Sequence, residues 1–470
     1  MLSYSFANIG SDSLYEYLYK CLRNDIVSGI IKAHERLPSK RPFAKNLGIS
    51  VITVENAYSQ LIAEGYVYSI QKKGYYVAAI HSTVMEHKAI LTEDNVRLSS
   101  GKSSFFADFT DNRTGAADFP FSVWAKLTRE LLTDNQAELM TTPPCGGIFE
   151  LREAISAHLR DFRNMNVTPE QIIIGAGTEY LYGLLIQLLG FDKIYAAENP
   201  GYKKISNIYK SHCVSCKFIS MDESGVRISE LEKNNVDILH ISPSHHFPTG
   251  MIVPIGRRYE LLGWASKSDN RYIIEDEYDS EFRFNGRQIP TMQSIDVLEK
   301  VIYMNTFSKT LASTIRISYM VLPKHLANRF YSELSFYSCT VSTFEQYTLA
   351  KFIRDGYFEK HLNRMRNYYH SKRDTIIKSI TQSRLGLVSS ISEADSGLHF
   401  ILKINTPLSD EEVCRNAENN GIRLSALSYY YADETVPNAV LHTFLINYSS
   451  LSDEIRDEAI ERIYQALNMN

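Results

Sequence analysis

The stretch Tyr303-Met304-Asn305-Thr306-Phe307-Ser308-Lys309-Thr310, continued by Leu311 to Arg316 and the apolar run Ile317 to Leu322, decides how the chain is read. An apolar, β-rich segment, Val301 to Met304, leads into a small-polar turn that ends on one lysine. Hydroxyls flank Lys309 on both sides, and Arg316 follows one loop later. A lysine at a strand exit among hydroxyls, with a second cation near, suits pyridoxal 5'-phosphate (PLP): the ε-amine forms a Schiff base while hydroxyls and arginine hold the phosphate. On this stretch alone, a surface lysine after an ordinary strand fits equally well. Some thirty residues upstream, Ile273-Ile274-Glu275-Asp276-Glu277-Tyr278 ends a second buried-strand pattern in Asp-x-Tyr. An aspartate there pairs with a protonated pyridine nitrogen and keeps the ring electron-withdrawing. A tyrosine two residues on lies on the same side of an extended chain and reaches the ring hydroxyl. Together the two segments favour PLP.

Working outward, Gln171 to Ile174 reads as a buried strand that runs into Gly175-Ala176-Gly177-Thr178 and a helix, Glu179 to Leu189. A glycine turn opening a helix frees backbone N–H groups for a phosphate, and the helix dipole favours the anion. The turns Glu198-Asn199-Pro200-Gly201-Tyr202 and Ser242-Pro243-Ser244-His245-His246-Phe247-Pro248-Thr249-Gly250 also follow strand-like runs. Ligands of open α/β sheets collect at such carboxyl ends. From Phe106 onward, apolar runs alternate with amphipathic segments such as Leu151 to Phe162, which predicts an α/β body with a mostly parallel sheet.

At 470 residues the chain is too long for one ordinary domain. Hydrophobic content of 44% and charged content of 22% describe a soluble protein with ample core material. No apolar run approaches a membrane span, and Met1 to Gly10 lacks a signal pattern, so a cytoplasmic protein is expected. Cys213-Val-Ser-Cys216, a lone CxxC in a strand-like stretch, is read as buried structural thiols rather than a metal site. The net charge of −4 is uneven: residues 1–80 hold nine Lys/Arg against six acids, a net +3, leaving −7 for the remainder. A basic amino-terminal module on an acidic body points to nucleic acid at that end.

In that module, Leu14, Leu18, Cys21, Leu22 and Ile26 have helical spacing, and Gly29 ends the helix. Leu37-Pro38-Ser39 gives a turn and cap, with Pro42 in the first turn of a short second helix that closes at Leu47-Gly48. Ser50 caps a third helix with an inner stripe of Val54, Tyr58, Leu61 and Ile62. Tyr66 to Ile70 and Tyr75 to Ala78 then form a hairpin with the basic tip Gln71-Lys72-Lys73-Gly74. Three helices and a basic wing make a winged helix-turn-helix. His81 to Phe105, without sustained period and holding Ser99-Ser100, Gly101 and Ser103-Ser104, reads as a linker.

Residues 1–80 resemble the GntR family of bacterial regulators in Leu37-Pro38-Ser39, Arg41, Leu47-Gly48-Ile49-Ser50, Thr53-Val54, Ala57-Tyr58, Leu61, Glu64-Gly65-Tyr66 and Gly74. The resemblance implies that Arg41, Ser50, Val51, Ile52, Thr53 and Glu55 face DNA from the turn and recognition helix, with Lys72, Lys73 and Gly74 entering from the wing. Val51, Ile52 and Glu55 depart from the basic or polar residues often found there. Residues 106–470 resemble fold-type I aminotransferases. The variants PSHHFPTG, EDEYDSEFRF and NTFSKT, with Ser342 to Gln346 and Ser396-Gly397-Leu398-His399, are similar to the MocR subfamily, the MocR/GabR-type regulators.

By that resemblance Lys309 is the Schiff-base lysine, Asp276 the pyridine-nitrogen partner and Tyr278 the ring-hydroxyl partner. Tyr202 stacks on the ring, and Gly177, Thr178, Thr306, Ser308 and Arg316 hold the phosphate. His246 and Phe247 occupy a segment where aminotransferases usually have an asparagine. Thr142 stands where many relatives present a tyrosine to the neighbouring subunit's phosphate, and Leu445 stands near the usual substrate-carboxylate arginine. These departures favour sensing over turnover. The expected protein is a PLP-dependent transcriptional regulator, a head-to-tail homodimer that binds operator DNA and senses PLP or an amino compound through an aldimine. The competing reading is an active aminotransferase that carries a DNA-binding head.

Overall fold

A computed structural model describes residues 2–6, 9, 12–79, 105–111, 118–284, 289–395, 397–432 and 436–467. The expected linker therefore lies, apart from Phe105, outside the described residues, as does Ser396. The chain divides into two compact units, Met1–Gly101 and Lys102–Asn470. No described helix is long and apolar enough to cross a membrane.

The first unit holds helices Leu14–Val27, Lys40–Leu47 and Val51–Ala63, then the antiparallel hairpin Val67–Ile70 and Gly74–Val77. Ser13 and Glu16 close a capping box on the first helix. Gly48, left-handed at φ 69°, ends the second helix and turns the chain into the third. Leu18, Leu22, Ile26, Phe43, Val54, Ala57, Tyr58, Leu61, Val67 and Val77 form one buried cluster. Two expected inner residues, Leu14 and Ile62, are exposed instead. Leu14 opens its helix and Ile62 is the second-last residue of its own, where the stripe has already turned off the core. Leu22 is fully buried. Leu22→Ala should destabilise this unit by about 2–5 kcal/mol. Hydrogen exchange on the full chain would show faster amide exchange in Leu14–Val27, with Val301–Thr306 unchanged.

The second unit contains an eight-stranded sheet in the order Ile172–Gly175, Ser318–Val321, Val301–Thr306, Tyr272–Glu277, Ile238–Ile241, Ile194–Asn199, Ser215–Asp222, Gly225–Val226. The five strands from Val301–Thr306 through Ser215–Asp222 pair in parallel, whereas Ser318–Val321 runs antiparallel to both neighbours. Successive residues feed opposite cores. Ile172 and Ile174 pack with Leu151, Ile155 and Leu349, while Ile173 joins Leu181, Leu185 and Met304. That two-sided burial explains why these strands read as continuous apolar runs.

A second sheet, Ser389–Ser392, His399–Ile404, Thr443–Asn447 and Ser425–Ala426, is wholly antiparallel and was not anticipated. It shares a core with the helices Tyr357–Gln382, Asp410–Asn419 and Arg456–Ala466. The cysteine expectation is corrected: Cys213 is exposed, in a turn at φ 58°, and Cys216 is only partly buried. The turn between a helix and the strand Ser215–Asp222 lifts Cys213 out of the sheet.

Candidate functional site

Strand pairing assembles the site. Met304 pairs with Asp276, Thr306 with Ser318, and Ser318 with Gly175. The lysine turn, the aspartate strand and the glycine turn therefore meet at one end of the sheet, although up to about 130 residues of sequence separate them.

Lys309 lies on the one-turn helix Phe307–Thr310, capped by Thr306, whose Oγ1 accepts from Ser308 N at 3.1 Å. Burial pushes the Lys309 amine down to about 8, against the pull of Asp279. Asp276 Oδ2 accepts from Tyr182 Oη at 2.8 Å, and Tyr182 Oη lies 2.7 Å from His240 Nε2. Burial, then the negative charge of Asp276, raises the Tyr182 hydroxyl well above its ordinary value, so it stays a donor. The other carboxylate oxygen, Asp276 Oδ1, is buried without a hydrogen-bond partner among the described residues.

Tyr278 Oη is 3.1 Å from His245 Nδ1, which also lies 2.9 and 3.0 Å from the two oxygens of Asp279. A carboxylate only accepts, so Nδ1 carries the proton and Tyr278 keeps its own proton for another acceptor. His245, Asp279 and His399 could together ligate a metal, their ligand atoms lying within 4.8 Å of one another. The two imidazoles are tilted by 35° with 4.6 Å between centroids, and the Asp279 carboxylate is already bonded to His245 Nδ1.

Phe247 sits edge-on to Tyr202, Tyr278, His399 and Tyr430 at centroid distances of 5.4, 6.2, 5.7 and 5.2 Å. His246 points elsewhere. It is fully buried, 2.7 Å from Thr249 Oγ1, and burial takes its pKa down to about 3.

At the glycine turn, Gly177 has φ 95°, and a Cβ there would stand 2.3 Å from Arg316 Nη2. Only glycine lets that guanidinium approach the backbone. Arg316 itself is left-handed at φ 53°; it donates to Ala176 O at 3.4 Å and to the Glu179 carboxylate, which Lys204 also holds. Burial opposes the charge of Glu179, yet the Lys204 and Arg316 donors take its carboxyl down to about 2. Thr306 Oγ1 is 2.9 Å from Ser308 Oγ and accepts from Ser318 Oγ at 2.8 Å. Thr178 opens the helix Thr178–Leu189 with Gly177 at its cap.

Sequence reasoning missed Tyr182, His240, Asp279 and Glu179. Tyr182 gave a usable signal, a tyrosine four residues after Thr178 and so one helical turn behind the glycine cradle. Leu445, fully buried, is sealed in a strand between Ile401 and Ser425, whereas Thr142 is exposed.

In the first unit, Arg41, Ser50, Val51, Ile52, Glu55, Lys72 and Lys73 are exposed. Ser50 Oγ accepts from Thr53 N at 3.0 Å and lies 2.8 Å from Thr53 Oγ1, so both hydroxyls serve the helix cap. Lys40 Nζ pairs with Glu55 at 2.6 Å. Gly74, at φ 121°, leaves room for Arg36, whose Nε would be 3.2 Å from a Cβ there.

The description "Bacterial regulatory proteins, gntR family" matches residues 14–77. The HTH-type transcriptional regulator YdeL of Bacillus subtilis, itself uncharacterised, is 34% identical over 96% of both chains. The probable rhizopine catabolism regulatory protein MocR of Rhizobium meliloti is 31% identical over 88% of this chain and 86% of its own. Among solved structures, the Pyrococcus horikoshii kynurenine aminotransferase complexed with PMP has a TM-score of 0.67 at 21% identity, covering 78% of this chain and 91% of its own. The multiple substrate aminotransferase of Thermococcus profundus has a TM-score of 0.68 at 21% identity, covering 78% and 92%.

Proposed function

Because the chain belongs to the MocR-type regulators of the GntR family, DNA-binding transcription regulators with a winged helix-turn-helix and a fold-type I aminotransferase-like body, we propose that this body holds PLP at Lys309 and that its loading changes operator binding. The observation that carries the proposal is Asp276 Oδ1, a buried carboxylate oxygen without a hydrogen-bond partner among the described residues, one strand from the lysine turn. Burying such an atom is costly unless a ligand satisfies it, and a pyridinium N–H is the donor that fits.

PLP supplies an aldehyde that condenses with amines and a ring that withdraws electrons. Each residue then has a task within the proposal. Lys309 offers a largely desolvated amine, and Asp276, fixed by Tyr182 and His240, keeps the ring nitrogen protonated. Tyr278 donates to the ring hydroxyl because His245, its Nδ1 proton set by Asp279, cannot accept from it. Tyr202 covers a ring face. Gly177, Thr178, Thr306, Ser308 and Arg316 surround the phosphate with donors and positive charge. Phe247, apolar beside Tyr278, and Leu445, buried in a strand, support sensing over turnover.

The effector is PLP itself or an amino compound that exchanges with Lys309, and the working species is a homodimer. Titrating the purified protein with PLP, and then with amines, while following visible absorption and DNA affinity tests this reading. Visible absorption should rise to saturation with one PLP per chain, and DNA affinity should change at the same concentrations. PLP that leaves both signals flat would refute it.

A further inference from the structure

The recognition helix Val51–Ala63 buries Val54, Ala57, Tyr58 and Leu61 and turns its other side outward. Its first turn exposes two apolar side chains, Val51 at 39% and Ile52 at 68% of their surface. The hydroxyls of Ser50 and Thr53 lie 2.8 Å apart, and Ser50 Oγ accepts from Thr53 N at 3.0 Å, which orients both toward the helix end. The nearby acid, Glu55, is tied to Lys40 at 2.6 Å, so it offers no uncompensated charge. Arg41 stands exposed one helix earlier. The first turn is thus a small exposed apolar tip with no uncompensated acid beside it.

We propose that Val51 and Ile52 read thymine methyl groups in the major groove, so that this protein selects A·T pairs where the first turn of its recognition helix meets the bases. The first residues of a recognition helix are those that reach base edges. The C5-methyl of thymine is the one apolar group that projects into that groove, where the other base pair shows amino, carbonyl and ring-nitrogen groups and only a flat C–H at cytosine C5. Pressed against guanine or cytosine, these side chains would strip water from amino or carbonyl groups and return no hydrogen bond. Against thymine they bury methyl on methyl. Selectivity therefore comes both from attraction to thymine and from the cost of the wrong pair. The inference goes beyond the reading of the body and does not rest on it.

The test uses full-length protein with excess PLP and a duplex enriched from random sequence by that same protein. Each thymine of the enriched site is replaced singly by uracil, which removes only the methyl group. Affinity is measured by fluorescence anisotropy at one salt concentration. At least one replacement per half-site should weaken wild-type binding about fourfold, as expected for one buried methyl. In the Val51→Ala, Ile52→Ala double variant, thymine and uracil duplexes should bind alike. Both residues are exposed, so the variant keeps its core. Wild-type protein indifferent to every uracil would overturn the proposal, as would equal uracil penalties in both proteins. So would a variant that changes self-association but keeps the full methyl preference, because the pair would then line a protein contact.

Discussion

Lys309→Ala should abolish the visible absorption of the lysine-linked cofactor and, with it, the change in operator affinity that PLP or an amine produces. Asp276, Tyr278, Arg316 and the glycine cradle all remain, so on the proposed reading the variant should still bind PLP through its phosphate, more weakly. The fold should survive, because the Thr306 cap and buried Phe307 and Thr310 hold the turn. Stability should even rise in cofactor-free protein. Burial takes the amine to about 8 in the folded state, while an unfolded lysine titrates near ~10.4. The folded state therefore binds its proton less readily, and the resulting cost is fully present below pH ~8, falls away as pH rises from there, and is gone above the unfolded value. Removing the lysine removes that cost at neutral pH, which a thermal melt reads directly. In wild type, covalent capture of PLP should quicken as pH rises and level off above about 8, where the amine is neutral. A Lys309→Ala protein that keeps its visible absorption and full response would sink the sensor mechanism.

The two segments that carried the sequence reading were legible for a physical reason. Strands buried on both faces leave unbroken apolar runs, and the polar residues that follow them mark a sheet end. Residues around Lys309 and Asp276 could therefore be found, each on its own segment. Their adjacency, with Met304 beside Asp276, comes from strand order and register, which sequence periodicity does not encode. The supporting atoms were less visible still. Tyr182 lay unnamed within the helix Glu179 to Leu189, and its hydroxyl gains meaning only beside Asp276 and His240. The antiparallel sheet escaped because His399–Ile404 and Thr443–Asn447 pair across some forty intervening residues with a helix between them. In the DNA-binding unit the gain was in the other direction. Ser50 and Thr53 were grouped with DNA-facing residues, and the structure adds a capping role, Ser50 Oγ accepting from Thr53 N, with the exposed apolar pair Val51 and Ile52 beside them.

Replacing Arg41, Lys72 and Lys73 together by alanine should cost operator affinity heavily while leaving PLP binding as it was. A cation that neutralises one phosphate releases counterions, so each contact contributes a salt slope near 0.9, worth about eightfold at ~0.1 M salt. Three contacts per head make the expected loss on the order of a hundredfold or more, and the log–log slope should flatten by about 2 to 3. The head should not be weakened in compensation. Arg41 is the second residue of the helix Lys40–Leu47, whose first turn has no acid. A positive charge there opposes the helix dipole, so alanine is neutral or stabilising at that position. Lys72 adopts φ 62° at the wing tip, a conformation that costs alanine about what it costs lysine. Arg41 thus stands where the helix dipole disfavours a cation, which fits a contact with a polyanion. Salt-dependent anisotropy on the enriched duplex measures both numbers. An unchanged slope, with affinity intact, would remove Arg41 and the wing from the DNA interface and leave the recognition helix to act alone.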